Sequence, residues 1–128
     1  PERLLGVSVH SRAEAAAAAA AGADYLLVGT LYPSRSHPEI QAAGPGLVQE
    51  LCQAVDVPLI GIGGIVPRNA REVLAAGARG VAVITAITLA PDPTTAAARL
   101  RMALRTVEPL PPAVRRAMRA RPAAEVTE

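Results

Sequence analysis

Lysine is absent from this sequence, and all thirteen basic residues are arginines. No side chain can therefore form a Schiff base with a carbonyl substrate, which excludes that form of covalent catalysis. Phe and Trp are also missing and only two tyrosines are present, so there is little material for stacking nucleic-acid bases, and a net charge of +2 is too small to argue for a polyanion partner. Cys52 is the single cysteine, which rules out an intrachain disulfide and a cysteine cluster for zinc; it reads as a buried or half-buried thiol in a cytoplasmic protein. No apolar run is long enough to span a bilayer and no secretory segment is visible, so neither a membrane nor nucleic acid is an expected partner.

What the sequence does contain is a rhythm. Its 128 residues, 51% of them hydrophobic, suffice for one core. The apolar runs "RLLGVSV", "DYLLVGTLY", "VPLIGIGGI" and "RGVAVITAI" alternate with helical stretches, the pattern of βα units on a parallel sheet. Ser11 and Glu14 have the spacing of a capping box ahead of an alanine run that Gly22 ends. A second helix is predicted over roughly Gly46 to Val55, a third from Pro67 to Gly77, and a fourth opening at Asp92–Pro93. The segments "AAGADYLLVGT" at 20–30 and "AAGARGVAVIT" at 75–85 echo one another.

Four βα units running one way leave either an open doubly wound sheet or one half of an eight-stranded barrel. Small residues recur at positions expected to face inward, Gly6, Ser8, Gly29, Gly61 and Gly63, and a crowded barrel mouth accounts for them better than an open sheet does. The chain begins at Pro1 and enters an apolar run within three residues, so a preceding part is expected to lie upstream or on another chain. Residues 1–107 read as the half barrel. Residues 108–128, with "EPLPP" and the four arginines of "AVRRAMRARP" in a possible short helix, read as a solvated tail.

Three places suit chemistry. "GIGGIVPRN", residues 61–69, passes from strand to helix, and its backbone N–H groups can hold an anion; "VITAIT" follows the next strand, and the last two βα loops of a barrel frequently share a phosphate. A dinucleotide fingerprint does not fit, because Val66 stands at the third glycine position and no acidic residue ends the following strand. The long loop "GTLYPSRSHPEIQ", residues 29–41, sets Ser34, Arg35, Ser36 and His37 side by side for a phosphate or carboxylate. His10 closes a strand whose Gly6, Ser8 and His10 share one face, where an imidazole that titrates near neutrality can give and take protons.

Taken in order, "GVSVHS", "GADYLLVGTLYPS", "VPLIGIGGI", "PRNAREVLAAGARGVAVITAI" and "DPTTAAARL" resemble the thiamine phosphate synthase superfamily and its thiazole tautomerase (TenI-like) branch over residues 4 to about 104. The resemblance implies a (βα)8 TIM barrel of which this chain supplies strands five to eight. It further implies that Gly63 and Gly64, with Ile84 and Thr85, bind a thiazole phosphate. In the tautomerase branch His10 would shuttle the proton that turns a thiazole carboxylate phosphate into its aromatic isomer, with no cofactor. The synthase branch joins an aminopyrimidine pyrophosphate to the thiazole phosphate with Mg2+, through a loop of the type "PT-x-TK"; here "PSRSH" keeps the hydroxyls of Ser34 and Ser36 and puts His37 at the lysine position. That departure makes the tautomerase the main expectation, the synthase the alternative, and a non-catalytic phosphate-binding half barrel or fused domain a third. No metal ligands are expected within this chain. A half barrel leaves two sheet edges and its interior uncovered, so the missing N-terminal half or a second copy is expected to cover them, and a homo-oligomer follows.

Overall fold

A computed structural model describes residues 3–34 and 37–105. The C-terminal tail and its possible helix lie outside the described residues, as do Arg35 and Ser36.

Four strands, β1 (Gly6–Val9), β2 (Tyr25–Val28), β3 (Leu59–Ile62) and β4 (Gly80–Ala82), pair in parallel in the order β1-β2-β3-β4. Between them run α1 (Arg12–Ala20), α2 (Gly46–Ala54) and α3 (Pro67–Ala75), and the short α4 (Thr85–Thr88) and longer α5 (Pro93–Leu104) follow β4. The four βα units are therefore present. β1 and β4 end the sheet, and neither outer edge pairs with another strand among the described residues.

Helix boundaries follow local chemistry. The Ser11 hydroxyl accepts the Glu14 N–H at 3.2 Å and starts α1, and Asp92 accepts the N–H groups of Thr94 and Thr95 to start α5. The sequence echo proves to be one corner built twice. Gly22 and Gly77, with φ of 99° and 117°, take the left-handed conformation that ends a helix; each donates three residues back, to Ala19 and Leu74. The next residues, Ala23 and Ala78, donate five back to Ala18 and Val73 and sit buried where each chain turns into its strand. α4 was not foreseen as a helix, because a single turn inside the apolar run "VITAITLA" carries no capping side chain to announce it.

Alternation divides the sheet into two unlike faces. Val9, Leu26, Val28 and Leu59 are buried beneath a helical layer that contributes Ala15, Val48, Leu51, Ala70, Val73 and Leu74. On the opposite face Ser8 is exposed and Leu27, Ile60 and Ile62 are half-buried. Gly61 belongs to the helical face and not to the interior expected for it: a Cβ there would lie 2.4 Å from Val73 Cγ1, so the glycine lets α3 approach β3. Gly6 does face inward, but the Tyr25 ring from the neighbouring strand fills its space. Cys52 is exposed on α2, contrary to the buried or half-buried thiol expected, because it points away from the helix face that carries Val48 and Leu51.

Candidate functional site

The strands deliver their C-terminal ends to one mouth, where a cavity of about 260 Å³ opens on the inner face. Leu27 and Ile62 provide apolar walls, Ser8 adds a small polar side chain to the lining, and Gly29 lets the Ile62 backbone approach, since a Cβ there would lie 2.5 Å from the Ile62 carbonyl oxygen. His10 stands on one side of the cavity. Ser34 and His37 approach from the long loop, while Gly63, Gly64, Ile84 and Thr85 close the far side. Every candidate residue within the described segments therefore reaches the same cavity. Thr30 and Ile40 line it as well; both lie in the long loop marked from the sequence, but only its central residues 34–37 were singled out for their charge and hydroxyls.

The glycine loop is built for close approach. Gly63 and Gly64 have φ of 104° and 64°, and a Cβ on Gly64 would lie 2.5 Å from the Pro33 carbonyl oxygen and 2.7 Å from that of Tyr32. Leu31 and Tyr32 donate their N–H groups to Ile62 and Gly63 carbonyls at 3.1 and 3.0 Å, so the first residues of the long loop lie directly along this turn. Among the described residues the N–H groups of Gly64 and Ile65 donate to no backbone carbonyl, and neither do those of Thr85 and Ala86 in the first turn of α4. Two consecutive βα loops thus bring donors without backbone acceptors to the lining of one hollow, an arrangement that suits a phosphate.

The long loop has a fixed base. Ala43 and Gly44 donate to the Thr30 and Leu31 carbonyls, each at 2.8 Å, and the Tyr32 hydroxyl donates to Glu72 of α3 at 2.7 Å. Burial, helped by that carboxylate, pushes the Tyr32 phenol up to about 12, so it remains a neutral donor. Glu72 is thereby taken by Tyr32. Arg68, one turn earlier on α3, has no ion-pair partner among the described residues and lies exposed in a second hollow of about 560 Å³, on the outer side of Gly64 and Thr85. His37 stands 3.6 Å from Glu39 through Nδ1, with both side chains exposed.

Glu14 is the residue whose role the sequence concealed. The capping box expected there is only half formed: its carboxylate passes over the Ser11 N–H and accepts the His10 N–H at 2.6 Å, with His10 Nδ1 at 3.2 Å from the same oxygen. A carboxylate only accepts, so Nδ1 carries the hydrogen of that contact, and Nε2 is the ring nitrogen not engaged by Glu14. The His10 backbone donor first, and then its ring, hold Glu14 below the ordinary 4.5 of a glutamate. A carboxylate with a depressed folded value contributes stability above its unfolded value and loses it as pH falls through the folded one. The melting-temperature advantage of wild type over Glu14→Ala is accordingly expected at neutral pH and should fade below about pH 4.5. Melts across that range check it, and a pH-independent gap would remove the carboxylate from the account. The pair is exposed, so added salt should weaken the effect.

Against known proteins, a family model described as thiamine monophosphate synthase matches residues 1–87. A thiamine-phosphate synthase from Geobacillus thermodenitrificans is 49% identical over 106 residues, covering 81% of this chain and 48% of that protein. Its counterpart from Geobacillus kaustophilus is 48% identical over the same shares of both chains. Among solved structures, a thiamine phosphate pyrophosphorylase from Pyrococcus furiosus superposes with a TM-score of 0.73 at 37% identity, covering 80% of this chain and 49% of that one. The chain thus spans about half the length of the relatives it matches, which are TIM barrels.

Proposed function

The chain belongs to the thiamine monophosphate synthase family, and we propose that it forms the thiazole-phosphate-binding half of a thiamine-phosphate synthase. Its four units would be strands five to eight of a (βα)8 barrel, closed over the inner face by four further units or by a second copy. The observation that carries this reading is that one cavity is lined by Gly64 and Ile65 from one loop and Thr85 and Ala86 from the next, four residues whose N–H groups have no backbone acceptor among the described residues. The curated relatives above are named as synthases, which favours this branch over the tautomerase expected from the missing lysine.

In the reaction, the thiazole ring nitrogen attacks the methylene carbon of the aminopyrimidine pyrophosphate. A C–N bond forms, the C–O bond breaks and pyrophosphate leaves. The residues of this chain would hold the thiazole phosphate at the two loops and seat its ring against Leu27 and Ile62, so that the nitrogen is oriented before attack. Ser34 and His37 would meet the leaving pyrophosphate from the long loop, joined there by Arg35 and Ser36. Among the described residues no group of three or more His, Cys, Asp or Glu side chains converges as metal ligands.

One observation favours a second reading, the tautomerase. Glu14 orients His10 with Nε2 unencumbered at the cavity, which is what a single reversible base requires. The deciding assay supplies thiazole phosphate and aminopyrimidine pyrophosphate with and without magnesium, and separately the thiazole carboxylate phosphate. Each is tested on the chain alone and on the chain mixed with the other half barrel. Magnesium-dependent pyrophosphate release is the expected result. Magnesium-free isomerisation abolished in His10→Ala would replace it with the tautomerase. Phosphate binding with neither reaction would leave a non-catalytic module.

A further inference from the structure

α3 begins without a capping side chain of its own, because its N-cap residue is Val66. Asn69, three residues on and half-buried, supplies what is missing and does more. Its Oδ1 accepts the Val66 N–H at 2.8 Å, and its Nδ2 donates to the Gly64 carbonyl at 3.1 Å. The amide orientation is fixed by its partners, since one is a donor and the other an acceptor. A single side chain therefore ties the start of the helix to the second glycine of the phosphate loop.

The consequence lies across the peptide plane. In a planar trans peptide the C=O and the following N–H point in opposite directions. Drawing the Gly64 oxygen towards Asn69 turns the Ile65 N–H the other way, and Ile65 lines the cavity with no backbone acceptor for that hydrogen. Gly64, having no Cβ, would otherwise let this peptide turn over readily, which would set a carbonyl oxygen where an anion has to sit. From this geometry we infer that Asn69 is the positioning residue of the phosphate cradle, holding the Gly64–Ile65 peptide in its donating orientation without touching the ligand. The inference rests on the phosphate-binding reading of the two loops and adds the residue that sets their polarity.

The test is an amide-resolved NMR titration with inorganic phosphate, performed on wild type, Asn69→Ala and Asn69→Asp. The aspartate retains an acceptor for the Val66 N–H and so keeps the helix start, but cannot donate to the Gly64 carbonyl. Because the position is half-buried, salt screens the added charge only in part, so the Ile65 amide position in the unliganded variant, which repulsion of phosphate cannot move, is read beside the affinity. In wild type the Gly64 and Ile65 amides should shift on titration, and both variants should bind phosphate on the order of tenfold more weakly while the rest of the spectrum stays folded. The Ile65 amide should also move in the unliganded variants. If Asn69→Ala fails to fold, Asn69→Asp decides alone. Wild-type affinity in a folded Asn69→Asp would overturn the inference and leave the cradle standing, reducing Asn69 to a helix cap. Absence of phosphate binding in wild type would overturn the cradle and the inference together.

Discussion

Replacing Gly64 with alanine should abolish measurable phosphate binding and destabilise the protein by about 2–3 kcal/mol. Two independent costs act at this position. The φ of 64° is a conformation in which a Cβ crowds its own carbonyl oxygen, and that Cβ would also lie 2.5 Å and 2.7 Å from the Pro33 and Tyr32 carbonyl oxygens. Those atoms are backbone. They cannot rotate aside as a flexible side chain would, and the Tyr32 hydroxyl contact with Glu72 pins the same segment to α3. The loop has to shift, carrying the Gly64 and Ile65 donors away from those of Thr85 and Ala86. Calorimetric titration with the thiazole phosphate and denaturant unfolding measure the two effects separately. A Gly64→Ala protein that binds and melts like wild type would mean that this turn is not the cradle.

The second large effect belongs to the core and tests the two faces of the sheet. Leu26→Ala is expected to cost about 2–5 kcal/mol, the range for deleting a fully buried leucine whose surroundings cannot collapse into the space. Leu27→Ala, one residue along, should cost only about 1 kcal/mol, since Leu27 is half-buried on the cavity face and has less apolar surface to lose. Its larger consequence should be weaker seating of the thiazole ring. Urea unfolding of both variants gives the comparison, and equal losses would contradict the assignment of the two residues to opposite faces.

Ser11 and Asp92 announce their helices by chemistry confined to a few residues, and both caps are present. The corners at Gly22 and Gly77 were legible because each closes through bonds to carbonyls three and five residues back. His10, Ser34, His37, Gly63, Gly64, Ile84 and Thr85 could be selected because each follows a strand, and in a parallel sheet all strands end on one side.

Gly61 was assigned to the wrong face because glycine carries no pattern of its own; only the approach of Val73 to β3 reveals which side it serves. Glu14 matched a capping box in spacing, yet its carboxylate had two donors within reach, and the choice of His10 over Ser11 depends on how β1 hands the chain to α1. Asn69 and Tyr32 are ordinary residues in the sequence. Tyr32 joins the cradle because Gly64 brings two βα loops within van der Waals distance, a contact between segments some thirty residues apart, whereas Asn69 joins it through the Val66 N–H and the Gly64 carbonyl, three and five residues back, once the turn at Gly63 and Gly64 folds them against the helix start. By itself, then, the sequence determined the parallel βα order and the residues carried to the mouth, since both follow from short-range periodicity and capping. Only the tertiary structure decided which partner each polar group takes, because that choice depends on how each turn, and each pair of neighbouring loops, places donors and acceptors in space, which local propensity does not encode.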